Sequence, residues 1–391
     1  MKFKFSLTFL TLAIAVVTKA QMSILVINPN INLPKDSVES LLLTSTLNDF
    51  LIATRNSNDE NKLVLATERI ETYILLDEVN GMEKSGKFKS DIFYKPYLTN
   101  VVGLNDKSYL LQVSYIGVND NVPYIRASFE LIANKLNNTF YYSSTLKRNT
   151  QNWKVLTVNN CTFHYKESIN KAIAKEYQQK VTLFDSKLKL LNKITELYCC
   201  EDYTELRKLL GIEYKSDYNG RQVIILSSVL ADKTLILLGT KDSKHFDDYE
   251  KHDLWHNRLS LAISRSLVNN PIDEGCAFLY GGSWGLSWKE ILNQFKTKVA
   301  SDKNADWVNY KENPKNFADS EIQRLMIDYV VNALIVQKIE KEKGFSGVWE
   351  FLNCGKFEKG NENYYKALER ITGISKVNYN AKVWELINLE K

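Results

Sequence analysis

Apolar and polar positions follow two different periods along the N-terminal third of this chain. Residues 37–54 carry apolar side chains at helical spacing and begin beside Asp36, which is a favourable N-cap. The segments after this helix alternate with the two-residue period of half-buried strands, as Val113 and Tyr115 illustrate. The predicted strands span 62–66, 90–98, 108–116, 123–132 and 138–144. The pattern therefore predicts one long helix followed by a curved antiparallel sheet.

This order of elements resembles the cone-shaped cystatin-like and SnoaL-like folds, in which a curved sheet wraps around a helix. Such cones serve either as binding pockets or as interaction modules, and the resemblance does not choose between the two. The region contains no combination of residues that indicates catalysis. We therefore expect an accessory domain at 21–150.

Beyond Thr150 the pattern changes to a mixture of strands and helices, and after Asp247 strand signals largely vanish. Strands are predicted at 153–158, 161–165, 194–200, 223–227 and 234–238. Helices are predicted at 169–191, 206–210, 248–267, 273–280, 287–300, 319–342, 346–352, 361–372 and 380–389. The whole chain is thus predicted to be α+β. Its second domain, at 151–391, should have a mixed α/β lobe, an all-helical C-terminal lobe and a cleft between them.

The first twenty residues have the composition of an export signal. Lys2 and Lys4 precede the mostly apolar run from Phe5 to Val17, and a cleavage site follows before Gln21. The alternative is a membrane anchor that is retained, although the apolar run is short for that purpose. No later stretch reads as a transmembrane helix. We expect an exported protein, periplasmic or extracellular.

Composition narrows the class of protein further. Charged residues make up 25% of the 391 residues and the net charge is +5, which is typical of a globular chain. Basic residues do not cluster with aromatic ones, so nucleic acid is not expected as a partner. Five cysteines in an oxidising compartment predict a disulfide, and the neighbouring predicted strands favour Cys161 with Cys199 or Cys200. The oligomeric state is left open.

Two of the four histidines stand four residues apart on one predicted helix. At 3.6 residues per turn, His252 and His256 project from the same face, so both imidazoles can bind one metal ion. Glu274 follows eighteen residues after His256, which allows a turn and a second helix packed alongside. Asp273 is a candidate acceptor for the ring N–H of a ligating histidine. The alternative is one buried and one exposed histidine on an amphipathic helix.

The segments His252-Asp-Leu-Trp-His256 and Ile272-Asp-Glu-Gly275 resemble the HExxH…E pattern of gluzincin metallopeptidases. The second segment is similar to the E-G-x-A helix of peptidase MA-like domains, and the resemblance covers residues 153–391. It implies a zinc site with His252, His256 and Glu274 as ligands. Such a His₂Glu set leaves one position for water, as catalytic zinc requires.

The chain departs from this family at Asp253, where the family has the glutamate that takes a proton from the zinc-bound water. Aspartate is shorter by about 1.5 Å of reach, and a general base must come within about 2.6–3.2 Å of its proton donor. Three interpretations follow. Asp253 acts as a base in a shifted geometry, the site binds zinc without efficient hydrolysis, or the site is a relic.

A donor for the developing oxyanion is also needed, and Tyr280 and Tyr329 are candidates, although tyrosine more often serves packing. The glycine-rich segment 281–285 lacks the strand and the lysine of a phosphate-binding loop. It is predicted to be a turn that links two helices. His245 is expected on a loop before the helix that carries the histidine pair.

These observations support two main hypotheses. The first is an exported zinc metallopeptidase that hydrolyses peptide bonds of a peptide or protein substrate, with Asp253 as base. The second is a non-catalytic pseudopeptidase that binds zinc or a partner in the cell envelope. A zinc hydrolase that acts on a non-peptide bond is a third possibility.

Overall fold

The structure, a computed structural model, describes residues 23–82, 92–190, 193–216, 225–239, 245–264, 266–320 and 322–390. The expected export signal at 1–20 lies outside these residues. The chain is α+β, as predicted. It forms two compact units, and the first consists of the described residues of Met1–Glu68, Leu76–Ser144 and Ile212–Asp217. The second consists of those of Arg69–Leu75, Thr145–Gly211 and Tyr218–Lys391.

The secondary structure elements are numbered along the chain. The strands are β1 (Val26–Ile27), β2 (Lys95–Asn105), β3 (Ser108–Asn119), β4 (Val122–Leu136), β5 (Thr139–Ser143), β6 (Lys154–Val158), β7 (Cys161–Tyr165), β8 (Ile194–Cys200), β9 (Ile212–Lys215), β10 (Ile225–Leu230) and β11 (Lys233–Gly239). The helices are α1 (Ser37–Ala53), α2 (Arg69–Asn80), α3 (Leu146–Asn149), α4 (Lys171–Leu188), α5 (Tyr203–Leu210), α6 (Lys251–Ala262), α7 (Asn270–Gly281), α8 (Trp288–Lys298), α9 (Trp307–Glu312), α10 (Ile327–Leu352), α11 (Glu362–Thr372) and α12 (Tyr379–Leu389).

The first unit contains a sheet of order β1-β2-β3-β4-β5, with β9 paired to β4. Strands β2 to β5 form the predicted antiparallel meander. Its last two hairpins turn at Asp120-Asn121 and Asn137-Asn138, all four at positive φ. Two-residue hairpin loops need this conformation, and aspartate and asparagine tolerate it better than most residues. The polar turn residues therefore fix the register of the sheet.

Helix α1 packs against this sheet through one face. The Asp36 side chain accepts the backbone N–H of Val38 at 2.8 Å, so it is the predicted N-cap. Leu43, Leu47 and Phe50 recur at helical spacing and are buried. The Phe50 ring lies 4.7 Å from that of Tyr142 on β5, measured between centroids.

The structure also contains elements that the sequence pattern did not indicate. Helix α2 was not predicted, and the segment predicted as a strand at 62–66 contains only a single bridge, from Val64 to Tyr142. A short apolar run cannot be assigned to strand or helix by periodicity alone, which explains the error. Parts of the predictions at 90–98, 169–191, 223–227, 248–267 and 319–342 lie outside the described residues.

The second unit contains a mixed sheet of order β10-β11-β8-β7-β6. The central neighbours β11, β8 and β7 run parallel, and each edge strand is antiparallel to its neighbour. Phe163, Leu197 and Ile236 from this sheet belong to the same hydrophobic core as α4, α6, α7 and α10. The mixed lobe and the helical C-terminal region agree with the sequence prediction.

The predicted disulfide is wrong. All five cysteines are free. Strands β7 and β8 are neighbours as expected, but their register places Cys161 opposite Thr195, four residues before Cys199. Four residues along a strand correspond to about 13 Å, and a disulfide requires Cα atoms within about 7 Å.

Helix α10 joins two of the predicted helices. Its regular geometry is interrupted at Gly344, whose φ of 67° and ψ of −176° break the helical path between the predicted segments 319–342 and 346–352. It begins at Ile327, eight residues later than the sequence indicated. None of the helices in the described ranges has the length and the hydrophobicity to cross a bilayer.

Candidate metal centre

Helix α6 carries both histidines of the sequence motif, and a buried ion pair holds this helix in the second unit. The Arg258 guanidinium donates two hydrogen bonds of 2.6 Å to Asp185 on α4 and one of 3.1 Å to Thr195 on β8. Arg258 has no exposed surface, so this bidentate contact is shielded from water. It connects α6 both to α4 and to the sheet beneath.

Two glycines allow α7 to approach its neighbours closely. A Cβ atom on Gly275 would lie 2.7 Å from the Cβ atom of Asn332 on α10. A Cβ atom on Gly281 would lie 2.6 Å from the backbone nitrogen of His252. Larger residues would push these helices apart. The glycines therefore hold Glu274, on α7, beside the histidines of α6.

The three predicted metal ligands converge on one point. The Nε2 atoms of His252 and His256 lie 3.0 Å apart. The Glu274 Oε2 atom lies 3.4 Å from the first of these nitrogens and 3.7 Å from the second. Ligands about 2.05 Å from a tetrahedral ion are separated by about 3.3 Å, so the three distances are those of a coordination triangle. His252, His256 and Glu274 form a possible metal-binding triad.

The hydrogen bonds on the far side of each imidazole fix its tautomer. Nδ1 of His252 lies 2.9 Å from the carbonyl oxygen of Gly282, and Nδ1 of His256 lies 3.0 Å from both carboxylate oxygens of Asp273. Both partners only accept hydrogen bonds, so each Nδ1 carries the proton. In the neutral rings both Nε2 lone pairs then face each other across 3.0 Å. Either a metal cation or a proton between them makes this arrangement favourable.

Asp273 is the predicted outer acceptor, and it also binds a residue that the sequence analysis did not select. Its Oδ1 atom accepts the indole N–H of Trp255 at 2.9 Å in addition to the His256 contact. Both Asp273 and Trp255 are buried. An acceptor held in this way orients the imidazole and raises its basicity toward a metal.

The acceptor for His252 is a backbone carbonyl, which depends on an unusual glycine conformation. Gly282 has φ 76° and ψ −157°, a region that only glycine occupies readily. A Cβ atom there would lie 2.1 Å from the carbonyl oxygen of Leu286. The glycine-rich segment is thus a turn after α7, as predicted, and it aims a carbonyl at a candidate ligand.

The charges of the triad stabilise one another. Burial disfavours a charged imidazole, but the hydrogen bonds that the ring donates to Asp273 and Glu274 outweigh it and raise the pKa of His256 to about 9. Burial would likewise raise the pKa of Glu274, but the two histidines hold it at about 2. The site therefore attracts positive charge, which is the property that a cation site needs.

Asp253 lies on the first turn of α6, between the two histidines, and is half-buried. Within the described part of the chain its carboxylate has no hydrogen bond or ion pair. The carboxylate is therefore not occupied by another structural contact.

The two candidate oxyanion donors differ in their surroundings. The Tyr280 hydroxyl donates to Glu340 at 2.7 Å, and its ring lies 5.0 Å from that of Trp255, so it takes part in packing. Tyr329 on α10 lies 5.6 Å from Phe278, ring to ring. Burial and the charge of the nearby Glu274 raise the pKa of Tyr329 to about 12. The surroundings of Tyr329 thus include a metal-ligand candidate.

His245 precedes α6, as expected, and its Nδ1 atom is hydrogen-bonded to Ser168. It is not part of the triad.

Comparison with known proteins identifies no relative. No protein-family model, no curated protein and no solved structure matches this chain.

Proposed function

We propose that this chain is a zinc metallopeptidase-like protein of gluzincin type, which hydrolyses peptide bonds in a peptide or protein substrate. The observation that carries the proposal is the convergence of three side chains whose tautomers leave two lone pairs and a carboxylate facing one point. The proposed location, outside the cytoplasm, rests on the sequence of residues 1–20.

Zinc is the metal that this donor set fits best. Two imidazole nitrogens and one carboxylate oxygen are the protein ligands of catalytic zinc, with one position left for water. A bound zinc ion would supply Lewis acidity, which polarises a carbonyl and makes water a stronger nucleophile at neutral pH. Asp273 and the Gly282 carbonyl would hold the imidazoles of His256 and His252 in the tautomers that bind it.

Asp253 is the proposed general base. Its carboxylate oxygen would accept the proton of the attacking water and pass it to the leaving amine. Among the described residues its carboxylate has no hydrogen bond or ion pair, which supports this role, since a base tied into an ion pair would be less available. Tyr329 is the preferred hydrogen-bond donor to the developing oxyanion, because the charge of the ligand candidate Glu274 acts on its hydroxyl, whereas the Tyr280 hydroxyl is bound to Glu340.

Metal analysis of the purified chain tests the site. One zinc per chain is expected after dialysis against zinc and removal of the excess, and His256→Ala and Glu274→Ala should lose it. His164→Ala is the matched control, because His164 is hydrogen-bonded to Glu196 and lies outside the triad. A chain that takes up no metal, or variants that bind zinc as well as the wild type, would refute the site.

Digestion of a peptide library tests turnover separately. Cleavage by the zinc-loaded chain should disappear in Asp253→Ala and rise in Asp253→Glu, because glutamate restores the longer reach of a gluzincin base. Cleavage that persists unchanged in Asp253→Ala would indicate a contaminating peptidase.

A non-catalytic role is the second candidate. The observation that favours it is that the Asp253 side chain is shorter than the glutamate found at this position in gluzincins. Losing a positioned base costs about 10²- to 10⁴-fold in rate. Under this alternative the wild type binds one zinc and cleaves nothing. If Asp253→Glu then cleaves peptides, the wild-type site lacks only a base of sufficient length. If Asp253→Glu also cleaves nothing, the site has further defects.

A further inference from the structure

The first part of α10 is buried on almost every side. Every residue from 327 to 336 is buried except Tyr329, which is half-buried. A helix with one apolar face takes its rotation from that face, whereas a helix that is buried all round has no such preference. Apolar packing alone therefore allows this part of α10 several similar rotations and depths.

Two polar residues in this part of α10 make directional contacts. Asp328 and Asn332 lie one turn apart, and Nδ2 of Asn332 donates to Oδ1 of Asp328 at 3.0 Å. The Lys311 ammonium on α9 donates to the same carboxylate and lies 3.2 and 3.3 Å from its two oxygens. The side chains of both Lys311 and Asp328 are 1% exposed, so this ion pair is shielded from water.

The polar network continues into the last two helices. The Tyr364 hydroxyl on α11 donates to Oδ1 of Asn332 at 2.9 Å and accepts the Tyr379 hydroxyl on α12 at 3.1 Å. The Lys311 ammonium also lies 3.8 Å from the centre of the Tyr364 ring. Both tyrosines are fully buried. Hydrogen bonds and one ion pair thus connect α9, α10, α11 and α12 through the Asp328 carboxylate.

The same turn of α10 touches the helix that carries Glu274. Gly275, the next residue on α7, lies against the backbone of α10. A Cβ atom on Gly275 would lie 2.7 Å from the Cβ atom of Asn332 and 2.9 Å from the backbone nitrogen of Ala333. With so little space, a rotation or a shift of α10 displaces α7 and changes the distance of Glu274 from the two histidines.

Stability alone does not account for a buried ion pair at this place. Taking a lysine and an aspartate out of water has a large cost in free energy, and an apolar pair of similar volume is often as stable or more stable. Polar contacts among apolar helices can instead select one register, as a buried asparagine does in coiled coils. The network around Asp328 has this character, because it lies in the part of α10 that apolar packing leaves without a preferred rotation.

We propose that Lys311 and Asp328 are positioning residues for Glu274. Their ion pair fixes the rotation and the depth of α10, and α10 holds α7 where Glu274 completes the triad. This inference rests on the proposed function, because it assigns the network to the same metal centre. The ion pair therefore contributes more to metal affinity than to the stability of the fold.

The double variant Lys311→Met with Asp328→Leu tests this assignment in the full chain. It replaces the ion pair with apolar side chains of similar volume, so its Tm should stay within a few degrees of the wild type or rise. Its zinc affinity, measured by competition with a chromophoric chelator, should fall about tenfold, the lower end of the usual loss when the support of a metal ligand is removed. A double variant that binds zinc as tightly as the wild type would overturn the proposal.

A second pair of variants decides the question even if the double variant does not fold. Tyr364→Phe removes the hydroxyl that donates to Asn332 and should weaken zinc binding about twofold or more. Tyr365→Phe is the matched control, because its ring lies 5.3 Å from that of Tyr364 and its buried hydroxyl has no hydrogen-bond partner in the described part of the chain. The control should bind zinc like the wild type. Equal zinc affinities in these two variants would show that the network has no role at the metal centre.

The outcomes separate the positioning role from the proposed function. If the wild type binds one zinc and none of these variants binds it more weakly, the positioning role is wrong and the metal centre stands. If the wild type binds no zinc, the metal centre and the role of Lys311 and Asp328 fail together.

Discussion

The indole N–H of Trp255 donates to Oδ1 of Asp273 at 2.9 Å, and the same oxygen lies 3.0 Å from Nδ1 of His256. One buried carboxylate therefore binds a core tryptophan and a metal-ligand candidate together. Trp255 and His256 are adjacent on α6, whereas Asp273 belongs to α7. The contact fixes the two helices relative to each other at the point where the triad forms.

Asp273→Asn should weaken zinc binding by about 10- to 100-fold, the usual cost of losing an outer carboxylate. The amide removes the negative charge that raises the basicity of the His256 imidazole toward the metal. Its NH₂ group, which replaces one carboxylate oxygen, cannot accept the ring N–H. Competition with a chromophoric chelator measures the affinity. Asp253→Asn is the control, because it removes the same charge from a carboxylate that has no hydrogen bond or ion pair with the residues the structure describes, and it should leave zinc affinity close to that of the wild type. Equal losses in the two variants would mean that net charge alone is responsible.

Trp255→Phe should weaken zinc binding by about two- to twelvefold, the equivalent of one net hydrogen bond of about 0.5–1.5 kcal/mol. Phenylalanine keeps an aromatic ring in the core but leaves Asp273 with one donor fewer. The chain offers a matched control in Trp307, which is 1% exposed and whose buried indole nitrogen has no hydrogen-bond partner in the described part of the chain. Trp307→Phe should destabilise the fold without changing zinc affinity. An equal loss of affinity in both variants would contradict the role of the indole N–H.

Glu196 on β8 should make stability depend on pH. Burial opposes its ionisation, but His164 and Lys233 on the neighbouring strands outweigh burial and lower the pKa of Glu196 to about 2. A lowered carboxyl pKa stabilises the fold above the unfolded value of 4.5, and this contribution is lost as pH falls toward 2. A shift of this size is worth about 3 kcal/mol.

Urea unfolding of the wild type and Glu196→Gln at several pH values measures this contribution. The difference in unfolding free energy between the two proteins should shrink as the pH falls below about 4.5. A difference that stays constant down to pH 3 would show that Glu196 does not titrate in this range.

The metal triad could be predicted from the sequence because its geometry follows from regular structure. Residues four apart on a helix share a face, so the sequence alone pairs His252 with His256. Placing Glu274 beside the two histidines required only that a second helix pack against the first. Most of the longer strands and helices around them were also predicted, since long periodic segments give the strongest sequence signal, whereas the short helices α3 and α9 were not.

The features that complete the site could not be predicted from helical spacing. The acceptor for His252 is the backbone carbonyl of Gly282, and a carbonyl has no side chain to mark it. The sequence does not distinguish Trp255 from other core tryptophans, because its hydrogen bond to Asp273 depends on how α6 and α7 pack. The disulfide prediction failed for a similar reason. Neighbouring strands were expected correctly, but the register that separates Cys161 from Cys199 depends on the whole sheet.

Gly282→Ala should reduce both stability and zinc affinity, because its conformation of φ 76° and ψ −157° suits only glycine. A Cβ atom would lie 2.1 Å from the carbonyl oxygen of Leu286, so the turn must shift and move the carbonyl that binds His252. Urea unfolding and chelator competition measure the two effects.

Gly285→Ala is the matched control for this glycine. It has a φ of 75°, but a Cβ atom there would have no neighbour within 4 Å. The strain of a left-handed alanine should cost about 1–2 kcal/mol of stability and leave zinc affinity unchanged. If Gly285→Ala loses as much zinc affinity as Gly282→Ala, general distortion of the turn accounts for the effect. If only Gly282→Ala loses affinity, the carbonyl of Gly282 positions the first histidine of the triad.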